Sequence, residues 1–166
     1  MDQLLGCLVA VRDAFELPLL VSTHPRTRKR LEARRDGLEF AGITFHEPFG
    51  FHDYNRLQLN AACVLSDSGT VAEEAIILGF TAITLRDSIE RPEALDTAGI
   101  VMTGLHPGDL VQAIRVARDG GTYGPLFGDI PQEYKVDNTA DRVLKFILST
   151  CHRHASWAGI RTDTTD

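Results

Sequence analysis

The chain has 166 residues, a formal net charge of −6, 43% hydrophobic residues and 24% charged ones. That length suits one domain of about 100–200 residues, and the composition suits a globular chain with a real core. The acidic balance argues against a non-specific nucleic-acid surface, while an anionic small ligand needs only local positive potential.

Leu4, Leu5, Leu8, Val9, Val11 and Phe15 fall near helical spacing, so the chain is expected to start with an amphipathic helix that Pro18 ends. Asp2 stands where a signal peptide would carry positive charge, and Arg12, Asp13 and Glu16 interrupt the apolar run. The run is also shorter than the ~20 residues a membrane span needs. Cys7, Cys63 and Cys151 are odd in number and form no CxxC pair, so neither a disulfide framework nor a zinc finger is expected. These features together predict a soluble, cytoplasmic protein that does not engage a membrane.

Residues 19–23 are an apolar run suited to a buried strand. Residues 26–36 read as an exposed helix stopped by Gly37, and 43–45 as a second strand. A helix is predicted over 54–62 and a third strand over 62–65. Helix 70–78 follows, stopped by Gly79, then strand 81–85, a short helix over 92–98, strand 100–103 and helix 109–117. Residues 120–132 are rich in Gly and Pro and read as loop. A last helix over 138–150 carries Val143, Leu144, Phe146, Ile147 and Leu148, and 162–166 is a polar tail expected to fray. Strands that are continuous apolar runs, alternating with helices, predict an α/β fold with a parallel sheet covered by helices on both faces. One domain is expected over 1–150, with a C-terminal extension over 151–166.

In such folds ligands bind beyond the carboxyl ends of the strands. His24-Pro25-Arg26 follows the first strand, His46-Glu47-Pro48 the second, Ser66-Asp67-Ser68-Gly69-Thr70 the third, and Arg86 through Glu93 the fourth. The Asp67–Thr70 turn opens a helix, whose free N–H groups and positive dipole suit a phosphate. Thr70 and Glu73 also have the spacing of a capping box, which accounts for those two residues without requiring Ser68 or Gly69. Glu74 has no part in that cap; it either complements the helix dipole or accepts hydrogen bonds from neutral hydroxyls such as those of a ribose. Arg86 and Arg91 read either as members of a solvated ion-pair network or as a clamp on an anion. His24 is a general base, a phosphate contact or a structural residue. Phe49, Phe51 and Tyr54 suit core packing, with base stacking as the alternative. No zinc-ligand spacing, GxGxxG or GxxxxGK[ST] occurs, so neither a metal nor a cofactor is expected.

Residues 67–74 (Asp-Ser-Gly-Thr-Val-Ala-Glu-Glu), followed by Leu85-Arg86-Asp87 and Glu90-Arg91-Pro92-Glu93, resemble the signature of the non-hydrolysing UDP-N-acetylglucosamine 2-epimerases. Residues 22–27, the single-glycine turn, the block 86–94 and the Trp157–Arg161 ending are similar to one branch, the UDP-N-acetyl-L-fucosamine synthases of capsule and O-antigen pathways. The resemblance implies a GT-B architecture of two Rossmann-like domains, with this chain equivalent to the C-terminal one. It implies that His24 and Arg91 lie near the diphosphate and sugar, with Arg86 in the same cleft. Ser68 and Gly69 would hold the diphosphate, Glu74 the ribose and Tyr54 the uracil side. The implied reaction removes the C2 proton, eliminates UDP to a glycal and adds UDP back after reprotonation on the other face. Its acid–base carboxylates would lie mainly in an N-terminal half, so this chain alone is expected to be inactive. A homodimer is left open, because Ile147, Leu148 and Trp157 would otherwise need another surface. The alternatives are a stand-alone UDP-sugar binding module without activity, or half of a GT-B glycosyltransferase.

Overall fold

The computed structural model of the protein describes residues 2–25, 27–28, 40–119 and 130–160. It divides into two compact units, residues 1–131 and 132–166.

In the first unit the chain runs α1 (Asp2–Phe15), β1 (Leu19–Ser22), β2 (Ile43–His46), α2 (Phe51–Asn60), β3 (Val64–Ser66), α3 (Thr70–Leu78), β4 (Ala82–Thr84), α4 (Pro92–Asp96), β5 (Val101–Met102) and α5 (Pro107–Asp119). Strands β1 and β2 pair in parallel, Leu19 opposite Ile43. Strands β3, β4 and β5 form a parallel triple in that order, Val64 opposite Ala82 and Ile83 opposite Val101. All three residues of β4 are buried. Successive strand side chains point to opposite faces, so both faces of β4 are covered. On one face Ile83 joins Cys7 and Val11 of α1 and Leu110 and Ile114 of α5. Val71, Ala72, Ala75 and Ile76 form the buried stripe of α3. Burying a side chain the size of Ile83 or Leu110 contributes about 1.5–3 kcal/mol.

Leu19 packs both against this core and against the cluster of Leu5, Leu8 and Ile43. The first unit is thus a Rossmann-like α/β unit built on parallel strands, as the alternating pattern predicted. Helix α1 stops at Glu16, which takes the left-handed conformation (φ 53°) two residues ahead of Pro18. Strands β4 and β5 are shorter than their apolar runs at both ends, where residues pass into the turns, and β3 starts two residues later than its run and ends one residue beyond it. Helix α2 begins three residues earlier than its apolar spacing suggested, at Phe51.

The second unit holds a 3₁₀ turn at Gln132–Lys135, helix α6 (Thr139–Thr150), a second 3₁₀ turn at Cys151–Arg153 and the short helix α7 (His154–Trp157). On α6, Val143, Leu144, Phe146, Ile147 and Leu148 are exposed. Among the described residues no helix is long and apolar enough to cross a membrane. The predicted helix over 26–36 lies outside the described residues apart from Thr27 and Arg28, and the predicted frayed tail lies wholly outside them.

Candidate functional site at the strand rim

The backbone hydrogen bonds of the sheet continue past the strand ends. Leu85 N–H donates to Ser66 O at 2.9 Å, Thr103 N–H to Thr84 O at 3.1 Å, and Gly104 N–H to Arg86 O at 3.2 Å. The turns after β3, β4 and β5 are therefore fixed to one another. Gly104 sits at φ 64°, and an added Cβ there would lie 2.3 Å from Asp87 Oδ1. Only glycine both adopts this backbone without strain and leaves room for that carboxylate.

The turn after β3 is organised by its own hydroxyls. Ser68 N–H donates to Ser66 Oγ at 3.0 Å, and the Ser68 and Thr70 hydroxyls lie 3.0 Å apart. Gly69 is the residue before α3, in ordinary helical backbone (φ −64°, ψ −32°). A Cβ at Gly69 would lie 2.7 Å from Arg91 Nη1 and 3.6 Å from Arg86 Nη1. Both guanidinium groups thus stand over the amino end of α3, beside N–H groups that have no partner within the helix. This arrangement suits an anion with several oxygens, since fork-shaped guanidinium groups and backbone donors share one focus.

The capping box expected of Thr70 and Glu73 does not form: α3 has no side-chain cap hydrogen bond. Glu73 accepts instead from Arg91 Nε, and the Thr70 hydroxyl faces Ser68. The pair orients Arg91 by its Nε edge while Nη1 reaches over Gly69. Glu90 is the looser counter-charge, at 3.8 Å from Arg86 Nη1 and 3.7 Å from Arg91 Nη1, with its side chain 75% exposed. Contacts of that length to so exposed a carboxylate contribute little, about 0–1 kcal/mol, so Glu90 holds neither guanidinium group firmly. The two arginines that suit an anion are thus also members of an ion-pair network with Glu73 and Glu90.

One turn into α3, Glu74 accepts a hydrogen bond on Oε2 from Gln58 Nε2 of α2 at 3.0 Å. Tyr54 is four residues before Gln58 on α2. Burial pushes its phenol above the ordinary value, and the negative charges of Glu74 and then Asp67 add to the shift. Tyr54 therefore stays protonated and able to donate.

The structure brings Ser68, Gly69, Arg86 and Arg91 together and places Tyr54 and Glu74 within electrostatic reach of each other. His24 is held at the end of β1, where its carbonyl accepts from Thr27 N–H at 2.9 Å, beside the Thr23 hydroxyl bond to His46 O. It belongs to the β1–β2 pair, whereas the other six belong to the β3–β5 triple and its helices. Core packing is wrong for Phe51, which is 75% exposed, and Phe49 stacks on His46 with ring centroids 4.2 Å apart. Glu73 and Gln58 were missed as site residues: Glu73 was absorbed by the capping pattern, and one glutamine in an amphipathic helix carries no sequence signal. Among the described residues no three His, Cys, Asp or Glu side chains gather as metal ligands.

Fold and rim together define a Rossmann-like domain with two arginines gathered at a helix amino end. Residues 1–157 match the UDP-N-acetylglucosamine 2-epimerase family, and the chain belongs to that family. It is 36% identical over 107 residues to a UDP-N-acetylglucosamine 2-epimerase of Methanocaldococcus jannaschii, covering 63% of this chain and 29% of that protein. It is 31% identical over 113 residues to a UDP-2,3-diacetamido-2,3-dideoxy-D-glucuronate 2-epimerase of Pseudomonas aeruginosa, covering 64% of this chain and 31% of the relative. The solved UDP-N-acetylglucosamine 2-epimerase of Rickettsia bellii superposes with a TM-score of 0.75 at 33% identity, over 93% of this chain and 42% of that one. The M. jannaschii enzyme in complex with UDP-GlcNAc and UDP superposes with a TM-score of 0.67 at 27% identity, over 87% and 40%. The chain thus spans about a third of the length of these curated relatives.

Proposed function

We propose that this chain is the UDP-binding, C-terminal half of a UDP-N-acetylhexosamine 2-epimerase of GT-B architecture. The observation that carries this reading is the convergence of the Arg86 and Arg91 guanidinium groups on Gly69, at the amino end of α3. A diphosphate fits there by charge and by donor count. Glu74 then binds ribose hydroxyls, Tyr54 lies toward the uracil, and His24 and Arg91 serve the sugar side.

In the reaction the C2 proton goes to a base and its electron pair forms the C1–C2 double bond. The C1–O bond breaks, and UDP leaves with the bonding electrons. UDP oxygen then re-adds to C1 as a proton reaches C2 from the opposite face. Negative charge grows on the departing diphosphate, where fixed N–H groups and guanidinium groups stabilise it most. Ribose and base contacts hold UDP while the glycal waits, so binding energy remote from C2 serves the reaction. The acid–base carboxylates are assigned to an N-terminal domain of the complete enzyme, which acts in the cytoplasm.

The motif likeness to the L-fucosamine branch favours UDP-2-acetamido-2,6-dideoxy-L-talose as the sugar epimerised, for surface polysaccharide synthesis. The P. aeruginosa relative, by its name, acts on a different UDP-sugar, so the sugar varies within the family. Calorimetric titration of the chain with UDP and with uridine tests the site: UDP is expected to bind and uridine to bind far more weakly. Equal affinity for the two, or no binding of UDP, refutes it. Epimerisation by the protein with its N-terminal domain, assayed on both UDP-sugars, decides the substrate.

A further inference from the structure

Helix α2 is a surface helix with an unusual interior. Its one buried residue is Gln58, 2% exposed, whereas Phe51, Leu57 and Leu59 are all exposed. An amide placed where an apolar side chain is the ordinary choice is destabilising unless it is hydrogen-bonded. Of the two polar atoms of the Gln58 amide, only the nitrogen is bonded. Nε2 donates to Glu74 Oε2 at 3.0 Å, while Oε1 is buried with no partner. The amide orientation is dictated by Glu74, since the flipped form would set Oε1 against a carboxylate oxygen. What the burial secures is therefore one bond, to one oxygen of one carboxylate.

We infer that Gln58 is a positioning residue for Glu74: its amide fixes Oε2 and so presents Oε1 to the ribose hydroxyls of the bound nucleotide. This rests on the ribose role of Glu74 proposed above. A carboxylate at the start of a half-exposed helix turn otherwise rotates freely about its terminal torsion. Tied at one oxygen, it offers the other in a set direction, which is what recognition of a neighbouring pair of hydroxyls requires. Tyr54 lies one turn earlier on α2, on the same helix as Gln58.

The test compares UDP with 2′,3′-dideoxyuridine diphosphate, which keeps the base and diphosphate and lacks the hydroxyls. Gln58→Met preserves length and removes the donor. Expected is a loss of roughly five- to twentyfold in UDP affinity, with dideoxy affinity unchanged within about twofold, so the preference for UDP collapses. Glu74→Gln is expected to abolish the preference, and adding Gln58→Met to it to change nothing further. A purely structural strut between α2 and α3 would weaken both ligands equally, and that result overturns the assignment. So does an unchanged preference in Gln58→Met. If the unaltered chain binds UDP and the dideoxy analogue equally, the ribose role of Glu74 falls and this inference with it. Should Gln58→Met fail to fold, the Gln58 side-chain amide resonances of the unaltered chain decide. They are expected to shift on adding UDP and to shift much less with the dideoxy analogue; equal shifts overturn the assignment.

Discussion

Replacing Gly69 by alanine separates folding from ligand binding at the centre of the rim. The Gly69 backbone is ordinary right-handed helix, which alanine adopts without strain. Alanine reduces unfolded-chain entropy, a gain of about 0.4–1 kcal/mol, and is a poorer residue before a helix than glycine by a comparable amount. Net stability should therefore change little, and the melting temperature by less than about 4 °C. The new methyl carbon would lie 2.7 Å from Arg91 Nη1. That is about 0.8 Å or more inside a comfortable contact, so Arg91 must withdraw. Its Nε edge is held by Glu73, so the withdrawal is a rotation that turns Nη1 away from the helix end. Losing one hydrogen bond from a charged group costs about 1.5–3 kcal/mol, or roughly 10- to 150-fold in Kd. Calorimetry with UDP should show that loss, and titration with uridine should show almost none. UDP affinity within threefold of the unaltered chain, or equal losses for both ligands, would refute the placement of the diphosphate over Gly69.

Two further outcomes concern the scaffold. Burial pushes the Cys63 thiol up to about 12, with Arg118 partly opposing the shift. The folded chain then keeps its proton while the unfolded thiol ionises near pH 9, so the unfolded state binds fewer protons and stability falls as pH rises from about 9 to about 12. Melting curves across that range should show the fall, and Cys63→Ala should flatten part of it; an identical slope in the variant would refute the linkage. Gly99 closes the turn after α4, and a Cβ there would lie 2.2 Å from Ile76 Cγ1 in the buried stripe of α3. Gly99→Ala should cost about 1–3 kcal/mol in urea unfolding through overpacking, and Ile76→Ala in the same chain should recover part of that. Strict additivity of the two substitutions would show that they do not meet.

The parallel α/β layout was legible because burial on both faces of β4 demands a run without charged residues, and residues 81–85 provide one. Helix ends were harder. Phe51 opens α2 although it is exposed, because the residues that start a helix need not belong to its buried stripe. The gathering of Ser68, Gly69, Arg86 and Arg91 was legible from order alone: parallel strands put every strand-to-helix turn on the same edge. The split of the strands into two ladders was not, since sequence order does not reveal that β1 and β2 pair apart from the β3–β5 ladder.

Glu73 shows where spacing stops being informative. A threonine three residues before a glutamate fits a local cap, and a cap would contribute about 0.5–2 kcal/mol. Against it stands Arg91, eighteen residues away, whose guanidinium group offers a charge-assisted bond in a position where its side chain is 27% exposed. Hydrogen bonds to charged groups are about twice as strong as neutral ones, and partial burial strengthens them further. The distant partner therefore wins, and Thr70 turns to Ser68. Local pattern alone cannot rank these partners, because only the fold decides that β4 delivers Arg91 to the first turn of α3. The residue that looked most explained by helix chemistry is thus the one that aims the guanidinium group at the helix end.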